Sequence, residues 1–265
     1  MGRLAQLVER CIHIANVAGS NPSSATSEKS RVSNLVRAPN MRKLKIKPIL
    51  QEERSVECGI VVLAMLHSYY KTGKSFADLR KEIKTYRIGT YAPQLGQQLI
   101  NSGFDVEIVT RNPLLVEKSD EKLSQQKLLL KLEEKLKKFS SKDNKSLGLN
   151  YFVSFMKSGG KLRVKIPDFD DIKSEIDEGR PVIAFLTNAA LYQKNIAEIL
   201  RKDFSYTFHA VLITGVSGDR VFLNDPYWGE EGGEKNYSSN ELFYAMHSSI
   251  LGDVDNGSLV KVRTI

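Results

Sequence analysis

Cys58 stands where a charged, turn-prone segment, "QEERSVE", gives way to the apolar run "CGIVVLAML". A thiol at the head of a helix meets unpaired backbone N–H groups and the positive end of the helix dipole, and both favour thiolate. The stretch His209 to Pro226, "HAVLITGVSGDRVFLNDP", reads as two apolar strands around a Gly-containing turn. With a three-residue loop at Val216 to Gly218, Gly215 faces Asp219, and counting back along the strands sets His209 opposite Asp225. Directly opposed residues have Cβ atoms roughly 4.5–5.5 Å apart, within reach of a bond from imidazole Nδ1–H to a carboxylate. That bond would fix the tautomer and stabilise the imidazolium. The set Cys58, His209 and Asp225 could then perform thiolate attack on an acyl carbon, with the imidazole moving the proton. The rival histidines are poorer. His67 lies nine residues down the same helix, roughly 13 Å from Cys58 at 1.5 Å per residue. His247 has no partner by register, and packing is its expected role.

The elements that must position these groups are legible in outline. The run after Cys58, Ile60 to Leu66, is apolar nearly all round and suits a helix buried in the core, ended by Thr72-Gly73. "SFADLRKEI" starts on an N-cap serine with an acidic residue at the third helical position and presents Phe76, Leu79 and Ile83 on one face. "APQLGQQLINSG" has Pro93 near its start and Gly103 just past its end, the asymmetry of a third helix. "FDVEIV" alternates as a strand. Residues 115–147 are lysine-rich, and Leu129, Leu132, Leu136 and Phe139 form a helical stripe, as expected of an amphipathic helix laid on the domain with its charged face in water. "DIKSEIDEG" reads as a short helix leading into the strand "PVIAFLT". Helices first and paired strands last argue for an α+β domain.

The composition, 41% hydrophobic and 26% charged over 265 residues, suits one sizeable globular domain. No run approaches the ~18 apolar residues of a membrane span, and no cleavable leader pattern is present, so a soluble, cytoplasmic protein is expected. The two cysteines, Cys11 and Cys58, provide no disulfide framework, and neither a CxxC pair nor an HExxH helix offers a metal site; no cofactor is expected. The beginning does not read as protein. Leu4 to Arg10 back-translates to the D-arm consensus of a transfer RNA gene and Gly19 to Pro22 to the T-arm consensus, while codons for Gly2 and Arg3 can pair with those for Ala25 and Ser24. Cys11 and Ala15 can likewise pair around His13 as the anticodon. Residues 1–26 therefore read as a translated tRNA gene, residues 1–40 as a disordered, non-genuine extension, and Met41 as the expected start. Setting these residues aside lowers the net charge from +8 to +5. No aromatic-interleaved basic strand accompanies that charge, so nucleic acid is not an expected partner.

With these residues in place, "ILQEERSVECGIVVLAMLHSYY" followed by "HAVLITGV" and "VFLNDP" resembles the C39 and C39-like cysteine peptidases, a branch of the papain-like superfamily. The resemblance covers about Leu50 to Tyr70 and His209 to Tyr227 and not the lysine-rich middle. It implies a papain-like fold in which N-terminal helices, with a central buried helix, pack on a C-terminal antiparallel sheet over residues 41–265. It also implies Cys58 as nucleophile, His209 as base, Asp225 as its orienter, Gln51 as oxyanion-hole donor, and a peptide or protein substrate cleaved through a thioester. Members of the family usually place the glutamine six residues before the cysteine; here the separation is seven, and Glu52 holds the usual place. The alternatives are an inactive peptide-binding module of the same fold and an acyl transferase using the same thioester.

Overall fold

The structure, a computed structural model, describes residues 41–138, 144–199, 208–248 and 250–265. The tRNA-like stretch, Cys11 and Phe139 lie outside the described residues. The fold is α+β. Its sheet comprises β1 (Arg42–Lys43), β2 (Phe104–Thr110), β3 (Lys161–Val164), β4 (Val182–Thr187), β5 (Phe208–Ser217), β6 (Arg220–Asp225), β7 (Gly233–Ser238) and β8 (Leu259–Thr264). The order is β3-β2-β8-β4-β5-β6-β7, with β1 added to β5, and every pairing is antiparallel except β2 with β3. The sheet is thus broader than a C-terminal antiparallel set, because β2 and β3 from the middle of the chain extend it beyond β8.

The longer helices among the described residues are α1 (Cys58–Tyr69), α2 (Phe76–Glu82), α3 (Ala92–Asn101), α4 (Gln125–Lys137), α5 (Asn144–Lys157), α6 (Phe169–Asp177) and α7 (Ser239–His247). In α1 every residue from Cys58 to His67 is buried, which explains why its sequence has no polar face. One face of the sheet meets α1 to α5, with Ile183, Phe185, Ala210 and Leu212 in that core. The other face meets α6 and α7 through Val182, Ala184, Leu186, Val211 and Ile213. β4 is therefore covered on both sides, the condition under which a strand reads as an unbroken apolar run.

The described residues of the lysine-rich region form a 3-10 turn at Lys118–Lys122, the helix α4 and the start of α5. α4 turns Leu128 and Leu132 inward, with Leu129 and Leu136 only partly buried, so the buried line is displaced from the stripe read in sequence. It rests on α5, which packs in turn on α3 and buries Leu149, Phe152, Phe155 and Met156. The α2 cap forms as read: the Ser75 hydroxyl accepts from Asp78 N–H, and Asp78 accepts from Ser75 N–H.

Two buried aspartates tie distant segments together with opposite electrostatics. Asp171 on α6 accepts from Lys261 of β8 at 2.9 Å and from Lys165 at 2.9 Å, clamping the helix to the sheet. Burial pushes its carboxyl up, but the two ammonium groups outweigh burial and hold it at about 2. The 250–256 loop is gathered by Asn112, whose Nδ2 donates to the carbonyls of Ile250 at 2.8 Å, Asp253 at 2.7 Å and Asn256 at 3.1 Å. From that loop Asp255 accepts the N–H of Ala92 at 2.8 Å, at the start of α3. Burial first, and then the negative charge of Asp253, push the Asp255 carboxyl up to about 7.

The linkage signs are opposite. Asp171 binds its proton less tightly folded than unfolded, so its stabilisation is present above about pH 4 and is lost as pH falls toward 2. Asp255 keeps a proton that the unfolded chain releases near pH 4, so it erodes stability between about pH 4 and 7. Equilibrium unfolding should show Asp171→Asn destabilised by about 3 kcal/mol at neutral pH with a flatter acid limb. Asp255→Asn should be more stable than the unaltered chain at pH 8 and equal to it near pH 4.

Candidate active site

Cys58 opens α1 without a side-chain cap. The N-cap residue, Glu57, makes no capping bond and pairs with Arg80 at 2.7 Å instead. The N–H groups of the first turn thus remain available to the thiol. Its sulfur stands against the His209 imidazole and the backbone N–H groups of Gly59 and of Ala210 on β5. Burial pushes the thiol pKa up, but His209 and the two N–H groups outweigh it, and the thiol lies below its ordinary range. Gly59 is required by close packing: a Cβ there would stand 2.2 Å from Thr90 Oγ1 and 3.1 Å from Leu95 Cδ1.

The β5–β6 hairpin seats the other two groups by a different register from the one the sequence suggests. The turn has two residues, Gly218 and Asp219, since Ser217 pairs with Arg220, and Gly218 takes the left-handed φ of 58° that this turn needs. A bulge follows between Ile213 and Gly215, after which Leu212 pairs with Asn224. Continued outward, this register sets Val211 opposite Asp225 and leaves His209 diagonal to it on the same face. Diagonal neighbours are farther apart than opposed ones, and the far nitrogen of the ring makes the contact. His209 Nε2, not Nδ1, meets Asp225 Oδ1 at 2.7 Å, which turns Nδ1 to the thiol. Burial would lower the imidazole pKa. The Asp225 carboxylate and the Cys58 sulfur overcome it and raise the group to about 10.

Asp225 is fully buried, and its Oδ1 also accepts the Tyr227 N–H at 2.8 Å. Its Oδ2 accepts the hydroxyl of Tyr192 at 2.9 Å, a partner that the sequence did not disclose. No motif could have signalled it, because Tyr192 lies 33 residues from Asp225 and meets it only through the pairing of β4 with β5.

Gln51 is brought to the same place. Its N–H bonds the Pro226 carbonyl at 2.7 Å, and Ser55 N–H closes a turn on Glu52 O at 3.0 Å in the segment that leads to Cys58. Arg54 occupies the left-handed position of that turn, with φ 60°. Gln51 Nε2 donates to Ser55 O at 2.6 Å, which leaves its second hydrogen for another acceptor. With Ser55, Val56, Tyr227 and Trp228 it lines a cleft that also contains Cys58 and His209, whereas Glu52 is exposed. A second recess on the Cys58–His209 pair is walled by Thr90, Tyr91, Phe185, Asp253 and Asp255. The other histidines stand apart. His67 bonds Thr72 Oγ1 at 2.7 Å and Gln98 Oε1 at 2.9 Å, and His247 stacks on Phe243. Among the described residues no group of three or more His, Cys, Asp or Glu side chains is placed to hold a metal ion, and no helix is long and apolar enough to cross a membrane.

Comparison with known proteins bears on the same region. A double glycine motif protease from an AMS/PCAT transporter, solved with the leader peptide, is 16% identical, with 86% of this chain and 99% of that one covered at a TM-score of 0.40. The peptidase domain of Streptococcus ComA, a bi-functional ABC transporter involved in a quorum sensing pathway, is 14% identical, with coverage of 83% and 99% and a TM-score of 0.41. A candidate C39-like peptidase from Bacillus anthracis is 12% identical, with coverage of 84% and 98% and a TM-score of 0.47. No curated protein is significantly similar to this chain. The sequence profile of the Peptidase_C39 like family, by contrast, matches residues 43–249, a span that includes Cys58, His209, Asp225 and Gln51. The chain belongs to the Peptidase_C39 like family.

Proposed function

We propose that the protein is a cysteine peptidase that hydrolyses peptide bonds with Cys58 as nucleophile, His209 as proton carrier, Asp225 as its orienter and Gln51 as oxyanion donor. The observation that carries this reading is a single imidazole held between the Cys58 thiol and the buried Asp225 carboxylate. The thiolate attacks the substrate carbonyl carbon, and the carbonyl π pair moves to oxygen. The second hydrogen of Gln51 Nε2 and the backbone N–H groups at the head of α1 stabilise that charge. As the tetrahedral adduct collapses, the C–N bond breaks and the amine leaves with the proton of His209 Nδ1. The thioester that remains is attacked by water, whose proton passes to the neutral imidazole. Loss of the acid product restores thiolate and imidazolium.

The lowered thiol and raised imidazole predict that Cys58 alkylates readily near pH 6, well below the ~8.5 of a free cysteine. His209→Ala should return Cys58 to ordinary titration and abolish turnover of a peptide library. Gln51→Ala should lower turnover roughly 10²–10³-fold with labelling intact, and Glu52→Ala should change little. Activated labelling without turnover would instead favour a peptide-binding module, and acyl transfer to an added amine in place of hydrolysis would favour a transferase. A Cys58 that titrates as a free thiol would end the catalytic reading.

A further inference from the structure

The reaction proposed above uses Asp225 only through His209, yet the carboxylate has two further donors. Oδ1 is shared by His209 Nε2 at 2.7 Å and the Tyr227 N–H at 2.8 Å, and Oδ2 is met by the Tyr192 hydroxyl at 2.9 Å. Asp225 is 0% exposed, so bulk water does not compete for Oδ2. The Tyr192 ring lies edge-on to the His209 ring with centroids 6.5 Å apart, and it packs on Tyr227 at 5.6 Å. Burial and the neighbouring carboxylate push the Tyr192 phenol well above its ordinary range. It therefore stays protonated, and toward an ionised carboxylate it can act only as a donor.

Building on the peptidase reading, we propose that Tyr192 is a positioning residue that sets the acidity of His209 through Asp225. Each hydrogen bond to a carboxylate spreads its charge and lowers its basicity. Without the Tyr192 donor, Asp225 would hold the imidazolium proton more strongly, and His209 would release it less readily to the leaving amine. A general acid is most effective when its pKa lies near the working pH, so this adjustment acts on turnover and not on folding alone. The placement follows from the sheet. Leu186 on β4 pairs with His209, and the helical turn Asn188–Leu191 then returns Tyr192 to the carboxylate that the same histidine faces.

The experiment follows iodoacetamide alkylation of Cys58 across pH in the full chain, read at the Cys58 peptide by mass spectrometry. The alkaline inflection reports loss of the imidazolium proton. Tyr192→Phe, which conserves volume, should move that inflection up by about 0.5 pH unit or more, a change of roughly threefold in proton affinity. Turnover at neutral pH should fall in kcat with KM unchanged. In an Asp225→Asn background the same substitution should move nothing, whereas a purely structural role would disturb both backgrounds alike. Should Tyr192→Phe fail to fold, difluorotyrosine at position 192, a stronger donor of similar size, should move the inflection down. An activated profile in the unaltered chain that neither replacement shifts would overturn the role of Tyr192 and leave the peptidase reading standing. So would a shift that persists in the Asp225→Asn background. An ordinary thiol profile in the unaltered chain would overturn both.

Discussion

A histidine buried at 3% exposure between a thiol and a carboxylate is the constraint on which the rest of this structure turns. Taking one charge out of water costs several kcal/mol, and it is tolerable only where opposite charges and hydrogen bonds replace the lost hydration. His209 has Asp225 on one ring nitrogen and the Cys58 sulfur on the other. Each of these two partners is in turn served by donors of the fold. The sulfur takes backbone N–H groups from α1 and β5, and the carboxylate takes one from Tyr227. The capping choice at α1 belongs to this balance. A serine or aspartate at position 57 could consume N–H groups of the first turn, whereas Glu57 turns to Arg80 and leaves them for the sulfur.

The hairpin shows how narrowly the arrangement is specified. With a two-residue turn and regular pairing, the strands around Gly218 and Asp219 would put His209 and Asp225 on opposite faces of the sheet, because side chains alternate with period two. The bulge between Ile213 and Gly215 inserts one residue and restores the parity. It also lets β5 keep both faces apolar: Leu212 joins the α1 side, while Ile213 and Val216 join the α6 side.

This is also where sequence reading reached its limit. The residues Cys58, His209 and Asp225 were legible as candidates because each sits at the edge of an element that announces itself, either a charged-to-apolar boundary or a hairpin flanked by apolar runs, whereas Gln51 was named only through the family resemblance. The α1 and α3 helices and β4 were legible for the same reason. The turn length and the bulge were not, because "GVSGD" suits a two- or three-residue loop and the register is settled by packing on both faces. In the sequence count, an even separation around an odd loop gave direct opposition; in the fold, an even loop and one bulge give a diagonal. Helix α5 was not read, although Leu149, Phe152, Val153 and Met156 fall at helical spacing on its buried face, and Tyr192 escaped notice because its contact exists only after β4 and β5 pair. The alternating stretch "LVKVRT" of β8 conceals a buried lysine, Lys261, whose partner Asp171 lies 90 residues away.

The position of Gln51 turns on the same competition between local geometry and the core. Neither end of the segment from Gln51 to Cys58 is free to move. Gln51 is tied to Pro226, beside Asp225, and Cys58 begins a helix whose next nine residues are buried. The backbone strain therefore falls in the exposed loop between them, where Arg54 takes a left-handed conformation that costs a non-glycine residue roughly 1–2 kcal/mol. Displacing either anchor would cost more, since it would break a backbone bond beside the buried carboxylate or unpack α1 from β5. The strain falls on the segment with least to lose, and the cleft keeps its geometry because both of its walls are extensions of the core.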